Sequence, residues 1–369
     1  MITDTFLNLA REGHCMPIGT HLVLHEQPDP EAILLDGKRL GSVVAQTAVR
    51  FATPLAVPLM DLTVEKEALL LACKVPAEEV GAYHFTELPA LPADIPPTPR
   101  MLATCQAIEY IAQETDLLPM GMCIGPYSLL TKLVRDPITP VFMSGMGMTG
   151  EDEPDIALID ALLIWSERMI LDYVDAQIAA GAKAMIVCEP AANMVYFSPN
   201  QMEDNPRPFE FYVMEPMRRL ADRLTARGVA LVFHDCGELT DAMVERFATL
   251  EADMISLGSS RDLAHDASLL PKETVIFGNL PSKNFYATQL TTAEVEEMGR
   301  DLTARMQAIG HPFILGTECD VLSVPGKEAE IVSKVNALMR CACEQHAAGT
   351  GSRRAERVPT TNATVSEKQ

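Results

Sequence analysis

Three side chains in this sequence could hold one metal ion. His234 and Cys236 lie in Leu231-Val232-Phe233-His234-Asp235-Cys236-Gly237, and Cys319 ends Phe313-Ile314-Leu315-Gly316-Thr317-Glu318-Cys319. Val229 to Phe233 is a short apolar run, the signature of a strand buried on both faces. His234 and Cys236 stand at i and i+2 beyond it, so both leave on one face with Cα atoms about 6–7 Å apart. An imidazole nitrogen and a thiolate at that separation reach one ion at about 2.0 and 2.3 Å. Cys319 ends a second apolar run and supplies a third ligand if the two strands face each other across a closed barrel. Two sulfurs and one nitrogen suit Zn²⁺, and three protein ligands leave its fourth position open. The competing reading is simple: a Cys in an apolar strand is usually a small buried hydrophobe. The decision turns on whether all three residues end strands on the same side of the fold.

The elements that must position them alternate between strand and helix. Apolar strand patterns recur at Met16–Thr20, Leu55–Asp61, Leu117–Gly125, Ala184–Glu189, Val229–Cys236, Asp253–Gly258, Thr274–Asn279 and Pro312–Cys319. Helical periodicity fills Ile156–Ala180, Glu210–Arg227, Leu239–Leu250 and Ala293–Ile309 between them. Eight strands alternating with helices predict an α/β fold, a single (β/α)₈ TIM barrel with insertions after strands 1, 3 and 4. Gly181, Gly228 and Gly310 stop helices where a left-handed cap is wanted. The Met-rich stretch Phe142–Met148 reads as a loop packed by flexible side chains, and Asn200–Pro208 as a loop before a helix near Phe209. The barrel spans residues 1–345, and the polar segment 346–369 reads as a disordered tail.

In such a barrel the reacting groups come from the C-terminal strand ends. Counted in order, His234 and Cys236 end the fifth strand and Cys319 the eighth, so all three point to one mouth. His21, Asp61, Glu189 and Asn279 are strand-end residues of the same mouth, readable as substrate-facing groups or as local caps.

The chain has 369 residues, of which 48% are hydrophobic, enough for a large core. Its formal charge of −22 argues against nucleic acid or an anionic membrane as partner. The N-terminus lacks the pattern of a signal peptide, and no apolar run reaches the length of a membrane span. Nine Cys without a disulfide-framework spacing fit a reducing cytoplasm, where thiolates stay available. Two thiolates and a neutral imidazole cancel the charge of Zn²⁺. The ion then binds a thiol and takes its proton while leaving the sulfur electron-rich. That chemistry suits alkyl transfer to sulfur better than hydrolysis.

With these residues in hand, the chain resembles the uroporphyrinogen decarboxylase superfamily, and within it the zinc-dependent methylcobamide:coenzyme M methyltransferases. The resemblance runs from about Leu7 to Ala342. It rests on His234-Asp235-Cys236-Gly237 with Cys319, and on Val57-Pro58-Leu59-Met60-Asp61-Leu62-Thr63-Val64-Glu65-Lys66-Glu67-Ala68, similar to the family's stretch ending in Thr-Val-Glu-x-Glu-Ala. Gly125-Pro126-Tyr127-Ser128-Leu129-Leu130 and Ala180-Gly181-Ala182 are less specific landmarks. The resemblance implies zinc on His234, Cys236 and Cys319, and methyl transfer from a methylated corrinoid (methylcobamide) on a separate corrinoid protein to a thiol. No Asp-x-His-x-x-Gly corrinoid motif occurs; the nearest stretch is Asp262-Leu263-Ala264-His265-Asp266-Ala267. A homodimer is a further superfamily expectation.

Two departures bear on the acceptor. Gly258-Ser259-Ser260-Arg261 stands where coenzyme M enzymes are expected to carry an acid, and Cys188-Glu189-Pro190 makes an acidic start to a mouth meant for a sulfonate. The acceptor is therefore a small thiol, coenzyme M or another, or a pterin such as tetrahydrofolate. One alternative is a uroporphyrinogen decarboxylase-like enzyme, but no Arg lies between Arg11 and Arg39 to hold a polycarboxylate. Methionine synthase-like transfer to homocysteine is a second alternative. A third is a barrel whose zinc is structural, closed by a fourth protein ligand.

Overall fold

In the computed structural model, which describes residues 2–90 and 93–352, the eight apolar runs become eight strands. They are β1 (Cys15–Ile18), β2 (Leu55–Ala56), β3 (Leu118–Ile124), β4 (Ala184–Cys188), β5 (Ala230–Asp235), β6 (Met254–Leu257), β7 (Val275–Leu280) and β8 (Phe313–Asp320). All their ladders are parallel, in the order β1-β8-β7-β6-β5-β4-β3-β2. The sheet is curled. Met16, Leu55, Met120, Ile186, Val232, Met254, Phe277 and Ile314, one from each strand, meet in a single buried cluster. Phe6 and Leu9 of the first helix, Ile2–Arg11, join it. This is an α/β architecture of the TIM type.

Among the described residues no ladder joins β1 to β2. Prolines explain the open seam: Pro17 lies within β1, and Pro54 and Pro58 flank the β2 segment. None has an N–H to offer a ladder. The run expected to be a strand over Leu55–Asp61 therefore pairs only at Leu55 and Ala56, against Leu118 and Pro119. Side chains span the seam instead. The Thr20 hydroxyl donates to Val57 O at 2.7 Å, and the Thr53 hydroxyl lies 3.1 Å from the Met16 sulfur.

Helices cover the outside of the sheet and bury a second, larger apolar core. Extra helices follow β1 (Thr20–His25 and Pro30–Ile33 before Gly37–Arg50), β3 (Pro126–Leu133 and Ile138–Gly145 before Pro154–Ala179) and β4 (Pro199–Asp204 and Arg207–Phe209). The connection after β2 also carries two helices, Val64–Ala72 and Pro99–Glu114. Phe142–Met148 and Asn200–Pro208, read from sequence as loops, are partly helical. The helix expected over Glu210–Arg227 forms with a π-helical first turn at Glu210–Met214. Gly310 adopts φ 71°, the left-handed cap the sequence called for after Thr292–Ile309. The last helix, Glu328–Ser352, continues past His346, where a tail was expected; residues 353–369 lie outside the described residues. No helix among the described residues is long and apolar enough to cross a membrane.

One close approach fixes how the shell meets the sheet. Gly125 N–H donates to Cys188 O at 2.6 Å, and a Cβ on Gly125 would fall 2.1 Å from Glu189 Oε2. Gly125→Ala must displace a buried carboxylate that holds the next helix. A loss of about 1–3 kcal/mol is expected, as for other overpacked sites. Chemical denaturation checks it, and an unchanged midpoint would show that the carboxylate yields freely.

Candidate metal centre

β5 and β8 lie on different sides of the curled sheet, three strands apart along its ladders. Parallel pairing nevertheless brings their carboxyl ends to the same rim. One ligand atom each from His234, Cys236 and Cys319 lies within 4.8 Å of the other two. Donors around a tetrahedral zinc at about 2.0–2.3 Å stand roughly 3.5–3.8 Å apart, so small rotations complete the set. His234 is buried, and Ser256 Oγ on the adjacent β6 lies 3.0 Å from its Nδ1. That contact leaves Nε2, buried and without a partner, to serve as ligand. The two sulfurs lie within 4.8 Å of each other. The neighbouring Cys319 thiol holds the Cys236 thiol well below its usual range, against the opposing effect of burial, with help from His234 and Lys283. Cys236 and burial push Cys319 upward. A metal bound here would take both sulfurs as thiolates and displace the protons they hold. A buried imidazole nitrogen facing two adjacent sulfurs fits a zinc ion.

A belt of main-chain bonds surrounds the sulfurs. Lys283 Nζ donates to Cys236 O at 3.0 Å and lies 3.9 Å from Glu318 Oε2. Ser259 N–H donates to Glu318 Oε2 at 3.0 Å, Ser260 Oγ to Gly237 O at 3.4 Å, and Ser282 Oγ to Cys319 O at 2.9 Å. Gly258 abuts Cys236 so closely that a Cβ there would meet its backbone at 2.9 to 3.2 Å. Sequence reasoning singled out none of Ser256, Lys283, Glu318 and Asp320. Ser256 becomes a neighbour of His234 only through the β5–β6 register. Glu318 and Asp320, on either side of Cys319 in the chain, were the two with a readable signal. Asp320 is buried, with its carboxyl near the backbone N–H groups of Met60, Val321 and His21, and burial raises its pKa to about 8.

The four other strand-end residues have partners within the protein. His21 Nδ1 accepts the Ser323 N–H at 3.1 Å, and burial followed by the nearby His25 lowers its pKa to about 4. Asp61 pairs with Arg100 and accepts from Thr63 N–H and Oγ1 at 3.0 and 2.7 Å. Glu189 has no exposed surface; it accepts from Tyr127 and Ser128 N–H at 3.2 and 2.5 Å, at the start of the helix Pro126–Leu133. Asn279 Nδ2 donates to Gly258 O at 2.8 Å and Arg261 O at 3.0 Å. A second cluster, Asp241, His265 and Asp266, could in principle hold an ion. Arg261 fills it, pairing with Asp266 and at 2.7 Å with Asp241. In the near-match to a corrinoid motif, Asp262 instead caps the helix Leu263–Asp266 and pairs with Arg305.

The family model described as uroporphyrinogen decarboxylase (URO-D) matches residues 35–339. The chain belongs to the uroporphyrinogen decarboxylase family. Among solved structures it is similar to a methyltransferase from Methanosarcina mazei, at 16% identity over 93% of this chain and 99% of that one, with a TM-score of 0.67. That likeness shows the shared fold. A B12-independent methionine synthase from Shewanella sp. W3-18-1, in complex with selenomethionine, aligns at 15% identity over 67% of each chain with a TM-score of 0.45, too low to carry an argument. No curated protein matches the chain in sequence.

Glu65, in the helix Val64–Ala72, is buried. Its Oε1 accepts the Ile124 N–H at 3.1 Å, Oε2 has no partner, and burial raises its pKa from 4.5 to about 7. Since the folded value is raised, the folded state keeps a proton that the unfolded chain releases. The stability from that proton is full below pH 4.5 and lost as pH rises through about 7. Glu65→Gln, neutral throughout, should therefore gain stability relative to wild type as pH rises from about 5 to about 8. Urea denaturation at several pH values checks the sign; a difference independent of pH would mean that Glu65 titrates normally.

Proposed function

We propose that this protein is a zinc-dependent methyltransferase. It moves a methyl group from a methylated corrinoid, carried by a separate corrinoid protein, to a small acceptor, a coenzyme M-like thiol or tetrahydrofolate. The observation that carries this reading is one nitrogen and two sulfurs gathered at the strand-end rim, the nitrogen orphaned and buried. His234, Cys236 and Cys319 would hold the ion. Zinc, when bound there, supplies a Lewis acid that takes up a thiol as its thiolate at neutral pH.

The chain's own groups do the rest. Ser256 fixes the imidazole's orientation, so that Nε2 rather than Nδ1 meets the sulfurs. Lys283, half-exposed at the rim, places an ammonium beside both cysteines. It offsets the negative charge that a third sulfur would bring. Glu189 had argued for an acidic mouth, but its carboxylate is spent on buried main-chain donors, so that objection to an anionic acceptor falls away. Transfer is a direct displacement. The acceptor's nucleophilic atom, the sulfur of a thiol or a nitrogen of the pterin, would gain its bond to the methyl carbon as the bond to the corrinoid breaks, with that bond's electron pair left on the corrinoid. Among the described residues, the potential ligand set has no fourth His, Cys or carboxylate in reach, which supports an open site over a structural one.

Native protein should contain about one zinc per chain. Cys319→Ala should lose the metal and the transfer of methyl from methylcobalamin to thiols, while circular dichroism still reports the folded barrel. Full activity of this variant would remove Cys319 from the ligand set, and metal-free native protein would remove the reading itself.

A further inference from the structure

Asn279 is buried at the carboxyl end of β7, touches neither sulfur, and spends both donors of its amide on one loop. That loop, residues 258–261, lies against both halves of the site. On the Cys236 side, Gly258 packs on the Cys236 backbone, Gly258 N–H donates to Asp235 O at 3.1 Å and Ser260 Oγ reaches Gly237 O. On the Cys319 side, Ser259 N–H holds Glu318, the residue before the ligand. The loop's contacts thus span the two strand ends that carry the sulfurs. Its carbonyls at Gly258 and Arg261 are tied down by one side chain. An Asn amide suits this task because it offers two donors in one plane, and both are used here.

We propose that Asn279 is a positioning residue: by clamping the 258–261 loop it sets the separation of Cys236 from Cys319, and with it the affinity and geometry of the metal site. This rests on the metal site proposed above. Groups that orient metal ligands from behind typically change metal affinity by about 10–100-fold when removed, so a loss in that range is expected for Asn279→Ala. A purely structural role would lower stability and leave the bound metal's surroundings alone.

The test uses the full chain loaded with Co²⁺ in place of zinc, its absorption spectrum reporting sulfur ligation and a chelator competition giving affinity. Thr274→Val serves as control, because it removes a buried bond of similar kind, Thr274 Oγ1 to Ala252 O at 2.9 Å, next to the opposite end of β7. Asn279→Ala should weaken Co²⁺ binding by about tenfold or more and shift the sulfur-to-cobalt bands. Thr274→Val should lower the melting temperature with affinity and spectrum unchanged. If Asn279→Ala fails to fold, Asn279→Asp reads the same link, since it keeps the size of the side chain and removes the donors to Gly258 O and Arg261 O. Wild-type affinity and bands in a folded Asn279→Ala, or in Asn279→Asp where it stands in, would overturn the proposal while leaving the metal site intact. Equal losses in Thr274→Val would also overturn it, by showing that any weakening of β7 suffices. Wild-type protein without sulfur-to-cobalt bands would instead overturn the metal site itself.

Discussion

The contact between Cys236 and Cys319 is the constraint on which the rest of the structure depends. The residues are 83 positions apart by their numbers, and their strands are joined only through β6 and β7. Their sulfurs meet only if the sheet curls so that β5 and β8 face inward to a common rim. The curl in turn needs the interior apolar cluster drawn from every strand, and the helical shell that keeps the outer face of a parallel sheet out of water. The place where the three candidate ligands gather is thus supported by most of the core.

Polar groups at this rim are mostly engaged in holding backbone. Glu189 ties the start of a helix, Asn279 ties a loop, and Asp61 pairs with Arg100. Each is a buried or half-buried group that would cost free energy if left unpaired, and each has found its partners within the protein. His234 Nε2 has none, and neither do Asp235 Oδ2 and Asp320 Oδ1 beside the two cysteines. A buried ligand nitrogen without a partner beside two sulfurs is the strongest local argument for an ion.

Prolines shaped the sheet's weak point. The apolar pattern at Leu55–Asp61 was strong enough to predict a full strand, but Pro58, beside the short β2, has no N–H to continue the ladder. The β1–β2 seam is left to side chains such as Thr20. Apolar periodicity reports which face is buried, and it is silent on whether the neighbouring backbone offers donors.

By itself, the sequence determined the order of strands and helices, the glycine that caps the helix before β8, and the three residues whose ligand atoms the fold brings within 4.8 Å of one another. These follow from local chemistry: apolar runs, the freedom of glycine at positive φ, and the i, i+2 geometry of a strand. Tertiary structure alone decided that Ser256 sits beside His234, that Glu189 and Asn279 bond to backbone, and that Lys283 reaches the Cys236 carbonyl and Glu318. Those facts depend on strand register and on the closeness of separate strand ends, and no window of sequence contains either.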